Sequence, residues 1–216
     1  TYTLSHWQTV LTDPIFFRAF QTTITLSMAT AIISPLLFSM VAYILVRRRW
    51  PGKALLDTIF WASAGIPGIL SGLGLLWVIT GTAGLSWLYG TIWILIIVVI
   101  LQGKLTSIQM FKSIFLQMGD DMEEAARVAG AGWFYTYFRI WLPLIAPTMV
   151  LMGILNFVIA AGSTGSVILL ASRDTVTLSL LALEYMTTST GGAREVAGII
   201  SLFIVAMTAG LALIAR

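Results

Sequence analysis

Apolar residues gather into five long runs, each closed by charge or by glycine and proline: Phe17 to Val46, Leu55 to Thr80, Leu85 to Leu105, Leu144 to Leu170 and Val196 to Ala215. A helix needs about 20 such residues to cross a bilayer, so each run reads as a membrane span. The first two exceed that length and leave room for tilt, or for kinks at Pro35 and Pro67. The third uses Trp87 and Tyr89 as interfacial anchors at one end and a snorkelling Lys104 at the other. The expected architecture is all-α, with an external N-terminal segment 1–16 followed by a membrane domain of five transmembrane helices over 17–216.

Basic residues set the expected orientation. Arg47, Arg48, Arg49 and Lys53 fall between the first two runs, and Lys104, Lys112, Arg127 and Arg139 surround the connection from the third to the fourth. The positive-inside rule makes that side cytoplasmic. The other side holds Arg18, Arg173 and Arg194, balanced by Asp13, Asp174, Glu184 and Glu195. The N-terminus is then outside and the C-terminus cytoplasmic.

Composition narrows the chemistry. Of the 216 residues 58% are hydrophobic and 10% charged, against about 25% charged in soluble domains, so a water-clothed fold is excluded. With no cysteine, disulfides, zinc-thiolate sites and iron–sulfur clusters drop out. The lone His6 precludes a histidine metal cluster or a Ser/His/Asp triad, and the scattered basic residues argue against a nucleic-acid partner. The start at Thr1 and the stop at Arg216, directly after an apolar run, read as a segment of something longer.

The connection between the third and fourth runs differs from the rest of the chain. Asp120, Asp121, Glu123 and Glu124 open a short helix with acidic residues in its first turn, where the helix dipole favours them. Met122, Ala125, Ala126 and Ala129 can share one low-relief face, and Gly130 is free to take the positive φ of a helix stop. Pro143 is placed to open the next span.

Glu124-Ala125-Ala126, then Gly130 after three residues, then Ile140, Leu142 and Pro143, resembles the EAA motif of type I permeases, the membrane subunits of binding-protein-dependent ABC importers. The resemblance implies five spans and a cytoplasmic coupling helix between helices three and four, within a loop at about 113–143. Glu124 would then bear on an ATPase contact, Ala125 and Ala126 would allow close approach, and Gly130 would set the turn. It also implies the partners: a cytoplasmic ATPase dimer, a second permease domain (identical, paralogous or fused) and an external substrate-binding protein, with the lipid bilayer around them. This chain would hold no cofactor and catalyse nothing. ATP and magnesium would sit in the ATPase, since neither Gly52-Lys53 nor Gly103-Lys104 has a glycine five residues earlier as a phosphate-binding loop requires.

Three further groups are candidates. Asn156, Ser163, Thr164 and Ser166 put polar groups late in the fourth run, where they could line a translocation path or serve tight helix packing. Thr177 to Met186 could form a short helix at the outer surface, so that Arg173, Asp174 and Glu184 would meet a binding protein, followed by a flexible stretch through Ser189 and Thr190. The approach Leu169 to Asp174 looks most like the ferric-iron branch of these permeases, near the polyamine and phosphonate branches. A passive channel or secondary carrier is the rival class, although such proteins usually place ionisable residues within their spans.

Overall fold

The computed structural model describes residues 5–48, 50–119, 121–188 and 191–214. Arg49, Asp120, Ser189 and Thr190, which enter the readings above, lie outside that set, as do the chain ends. Among the described residues every regular element is helical.

A short helix α1 (Ser5–Thr12) precedes α2 (Pro14–Arg47), which begins before the expected Phe17. Asp13 is the reason: its carboxylate accepts the Ile15 N–H at 2.8 Å, and Pro14, whose missing N–H costs nothing there, occupies the first turn. Residues 5–16 are therefore packed onto the helical body. Val10 is buried and Trp7 lies 6.1 Å from Phe203 of the last helix. Pro35 does not break α2, which is packed against the helices on either side of it.

The second run does not form one straight helix. It divides into α3 (Lys53–Ala62), a tight turn at Ser63–Gly65, and α4 (Gly68–Gly81), and the two halves are bent by 115°. Pro67 drives the break by excluding helical geometry from the residue before it, and Ile66 is accordingly extended at φ −84°, ψ 116°. The third run is displaced. Gly84 and Gly90 take φ of +90° and +74°, leaving one tight turn at Ser86–Leu88, and α5 runs from Ile92 to Gln117.

After α6 (Asp121–Val128) come α7 (Trp133–Thr136), a wide π turn Tyr137–Trp141, α8 (Leu142–Leu144) and α9 (Ala146–Ala161). Pro143 does not open the span as expected. It sits just past the π turn that accommodates its missing N–H, and Pro147 stands in the first turn of α9 instead. The chain bends by 75° between α8 and α9. The fourth run ends as helix at Ala161, with turns from Gly162 onward, before α10 (Leu178–Thr187) and α11 (Ala193–Ile214). Among the described residues three helices are long and apolar enough to cross a membrane, or up to five spans if each bent pair counts as one.

α2 is the axis of the molecule, packed along its length by α5 and α9. Leu26, Tyr43, Leu95, Val99, Phe111 and Trp141 are buried in that core. A second cluster joins the start of α2 to α1, α10 and α11 through Phe16, Ala19, Leu181, Val196 and Ile200. Two glycines let the axis close: a Cβ on Gly103 would lie 2.6 Å from Asn156 Oδ1, and one on Gly153 would lie 3.0 Å from the Ala31 carbonyl. By contrast, α3 and α4 expose Leu55, Trp61, Leu70 and Trp77, an apolar surface that suits a bilayer or another apolar helix as solvent.

Candidate functional site: a projecting helix and its polar supports

The site is built where α2, α5 and the π turn end together. Arg47 closes α2, and its Nη2 donates to the carbonyls of Phe115 (2.9 Å), Met118 (2.6 Å) and Gly119 (3.2 Å) at the end of α5. A cation at a helix C-terminus meets both the unsatisfied carbonyls and the negative end of the dipole. The same guanidinium lies 4.9 Å from the Trp141 ring centroid. Beneath it Tyr43, Phe115, Tyr137 and Trp141 interlock, with Tyr43–Tyr137 at 5.5 Å and Phe115–Trp141 edge to face at 5.6 Å. The Tyr137 hydroxyl is 2.8 Å from Ser39 Oγ.

From this braced floor α6 projects. Asp121, Glu123 and Glu124 fill its first turn and Arg127 its last, matching the dipole at both ends. Its stop is a Schellman motif: Ala131 N–H donates to the Ala126 carbonyl and Gly130 N–H to the Arg127 carbonyl, both at 2.9 Å. Gly130 takes the φ of +77° that this motif needs. Glu123 and Ala126 are buried against the floor, and Glu123 accepts from Arg127 Nη2 at 2.7 Å. Ala126 therefore does not share the outer face expected for it. That face is Met122, Glu124, Ala125, Val128 and Ala129, with Val128 90% exposed. Of the remaining motif residues, Ile140 and Leu142 are half-buried in and after the π turn, while Pro143 is exposed.

The mid-span candidates form two joined groups. Asn156 is buried and wires three helices together: it accepts from Ser34 of α2 at 3.1 Å and donates to Ser107 of α5 at 3.2 Å and to its own Met152 carbonyl at 2.7 Å. Ser163 and Ser166 both donate to Gln102 Oε1 of α5 at 2.9 Å. The Thr164 hydroxyl makes a long bond to the Gly162 carbonyl at 3.5 Å.

At the opposite end Arg173, Asp174 and Glu184 are exposed. The helix foreseen there does not lie loosely on the surface, because Leu178 and Leu181 are buried and the Leu178 N–H donates to Thr23 Oγ1 of α2 at 2.8 Å. Burial, with help from the neighbouring Asp13 carboxylate, pushes the Tyr185 phenol above its ordinary pKa. Sequence reasoning passed over Tyr43 and Gln102, and it read Arg47 only as a mark of orientation and Glu123 only as a first-turn acid. Gln102 alone carried a signal, as a polar residue well inside an apolar run.

Comparison with known proteins places this geometry. The family described as binding-protein-dependent transport system inner membrane component matches residues 35–216. The sulfate transport system permease protein CysT of Escherichia coli strain K12 is 27% identical over 177 residues, 78% of this chain and 63% of its own length. A probable sulfate transport system permease protein of Marchantia polymorpha is 28% identical over 175 residues, 77% of this chain and 60% of its own. The inner membrane ABC transporter permease protein YcjP of E. coli K12 is 28% identical over 161 residues, 74% and 56% respectively. The chain thus spans about three fifths of the length of these relatives. In fold it is similar to a bacterial ABC transporter that imports alginate (TM-score 0.82, 19% identity, all of this chain and 82% of that one). The MetNI methionine ABC transporter also resembles it (TM-score 0.67, 16% identity, 92% and 90%).

Proposed function

Because the chain belongs to the inner membrane components of binding-protein-dependent transport systems, we propose that it is the permease of an ATP-driven importer whose cargo is a small oxyanion of the sulfate type. The observation that carries the permease reading is α6, a helix braced at its base by Arg47 and the aromatic floor yet open along Met122, Glu124, Ala125 and Val128. A cleft on an ATPase subunit can receive that face, and its movement passes to the spans because the helix is tied to the ends of α2 and α5.

In this reading α6 is cytoplasmic, the N-terminus is outside, and Arg173, Asp174 and Glu184 face an external binding protein. A second permease domain completes the path. ATP, held with magnesium by the ATPase pair, closes that pair, draws on the coupling helices and tilts the two permeases outward, and hydrolysis returns them. The coupling is reciprocal in binding free energy, so the loaded binding protein favours the closed ATPase.

Sulfate replaces the ferric iron expected from the external loop. CysT relatives are named as sulfate permeases, and none of the relatives named above is an iron permease. The chemistry agrees, since α2, α5 and α9 contain no Asp or Glu to receive a hard cation but do present amide and hydroxyl donors.

The test is co-purification followed by radiolabelled sulfate uptake into vesicles containing the full complex. ATP-dependent, binding-protein-dependent uptake is expected, with sulfate retained by the binding protein. Counterflow without ATP or binding protein would instead make the chain a passive carrier, and a different retained ligand would overturn sulfate alone.

A further inference from the structure

α5 is 26 residues long, about 39 Å at 1.5 Å per residue, against a hydrocarbon layer of about 30 Å. Even if all its surplus length projected beyond its C-terminal end, roughly 20 residues from Ile92 would remain within the hydrocarbon. Within that depth two different polar faces occur. One is internal, where Gly103 and Ser107 are buried against Asn156. The other carries Gln102, Thr106 and Gln109 and continues past that depth through Ser113 and Gln117, spaced four, three, four and four residues apart and hence on one side of the helix. Gln102, Thr106, Ser113 and Gln117 are exposed and Gln109 is half-buried. The stripe runs about 22 Å along the axis.

Such a face is poorly suited to lipid, because amide and hydroxyl groups there would lose their hydrogen-bonding solvent. The backbone beside its head makes the same demand independently. The break between α3 and α4 exposes Gly65, Ile66 and Pro67, and the turn after α9 exposes Gly162 and Gly165, at the level of Gln102. These two irregular segments meet there: a Cβ on Gly68 would lie 3.3 Å from Gln102 Nε2, and Ser163 and Ser166 hold Gln102 Oε1. With its oxygen doubly occupied as acceptor, the Gln102 amide has its N–H groups left to offer. Non-helical backbone is tolerated at membrane depth only where protein buries it or water reaches it.

We propose that this face of α5 is the wall of the translocation path in this chain, that Gln102 marks its mid-membrane station, and that it recognises a tetrahedral oxyanion through neutral N–H and O–H donors. The inference rests on the permease reading above. Lys104 stands on another side of the helix and folds back to the Leu101 carbonyl at 2.8 Å, and Lys112 is paired with Asp57 at 2.6 Å. The wall thus solvates an anion without holding it against a fixed cation, which lets the solute leave as readily as it enters.

The absence of cysteine makes the test direct. Thr106→Cys is compared with Ile97→Cys, an exposed apolar position on the opposite side of α5, in vesicles carrying the full transporter, with the cysteine-free chain as blank. A membrane-impermeant thiosulfonate should modify Thr106→Cys about tenfold faster or more, because only a water-exposed thiol ionises to the reactive thiolate, and modification should abolish radiolabelled sulfate uptake. Equal rates at the two positions would overturn the assignment, as would fast modification that leaves uptake intact. Wild-type vesicles run in parallel separate the two levels. If they fail to take up sulfate under ATP, the transport reading itself falls. If they transport while Thr106→Cys stays unlabelled, only the path assignment does.

Discussion

The floor beneath α6 and the polar cluster in the middle of the spans are both held by side-chain hydrogen bonds, but they are built by opposite rules. The floor uses charge: Arg47 on three carbonyls, Glu123 with Arg127, and Lys112 with Asp57 nearby. The mid-span cluster uses only neutral groups, Asn156 with Ser34 and Ser107, and Gln102 with Ser163 and Ser166. An ion taken out of water costs several kcal/mol even after relaxation, whereas an amide or hydroxyl is satisfied by one or two partners of its own kind. Charged bonds between elements therefore gather toward one end of the helix bundle, where carbonyls and solvent are available, and the Asn156 and Gln102 contacts deeper in the spans are made without charge. The contrast also separates settings, since the charged floor carries a helix whose outer face is exposed while Asn156 in the neutral cluster closes helix against helix.

Breaking the floor should have the largest effect. Arg47→Met removes the charged bonds to three carbonyls and the contact with Trp141, and should lower stability by about 2–3 kcal/mol while uncoupling ATP turnover from uptake. Arg47→Lys should recover only part of both, because an ammonium lacks the planar fork. An unchanged unfolding midpoint in detergent together with unchanged uptake for Arg47→Met would remove the floor from the argument.

Asn156→Leu attacks the neutral side. It strands Ser34 and Ser107 without their partner and should cost about 1–3 kcal/mol, read as a lower midpoint with no selective loss of ATPase contact. Were ATPase association lost first, the two regions would not be separable as drawn.

Gly130→Ala should cost about 1–2 kcal/mol from its left-handed backbone alone, since a Cβ there meets nothing within 4 Å. Gly130→Leu should then be no less stable than Gly130→Ala, yet transport worse, because the added bulk faces the docking side. Equal transport by the two variants would argue that no partner seats against this turn.

Lys112→Met should do least. Its pair with Asp57 is partly exposed, so a change of under about 1 kcal/mol is expected in the unfolding midpoint, and a larger loss would mean that α3 hangs on this one contact.

Much of this organisation was legible along the chain. The five apolar runs appear as helices or bent helix pairs, and the acidic turn at Asp121–Glu124 with Gly130 closing it marks α6 in sequence. Periodicity could not place the ends, because apolar residues continue through Leu85–Leu88, where Gly84 and Gly90 redirect the backbone, and through Val167–Leu170, where the chain runs in turns. It also misassigned one face of α6. Ala125 and Ala126 are chemically identical, and only the position of Glu123 against the floor turns Ala126 inward.

The sequence by itself determined that this is a helical membrane protein with a short acidic helix set apart from its spans, since apolar length and local helix signals need no knowledge of what lies across from them. It also carried the motif by which the family is recognised. The tertiary structure decided which polar residues are solved internally and which remain on offer. Asn156 and Gln102 look alike in sequence, as lone amides in apolar runs. One is closed on all sides by α2 and α5, and the other has its oxygen pinned by two serines and its N–H groups turned to an open face. That distinction depends on contacts between residues 49 to 122 positions apart, which no local pattern encodes.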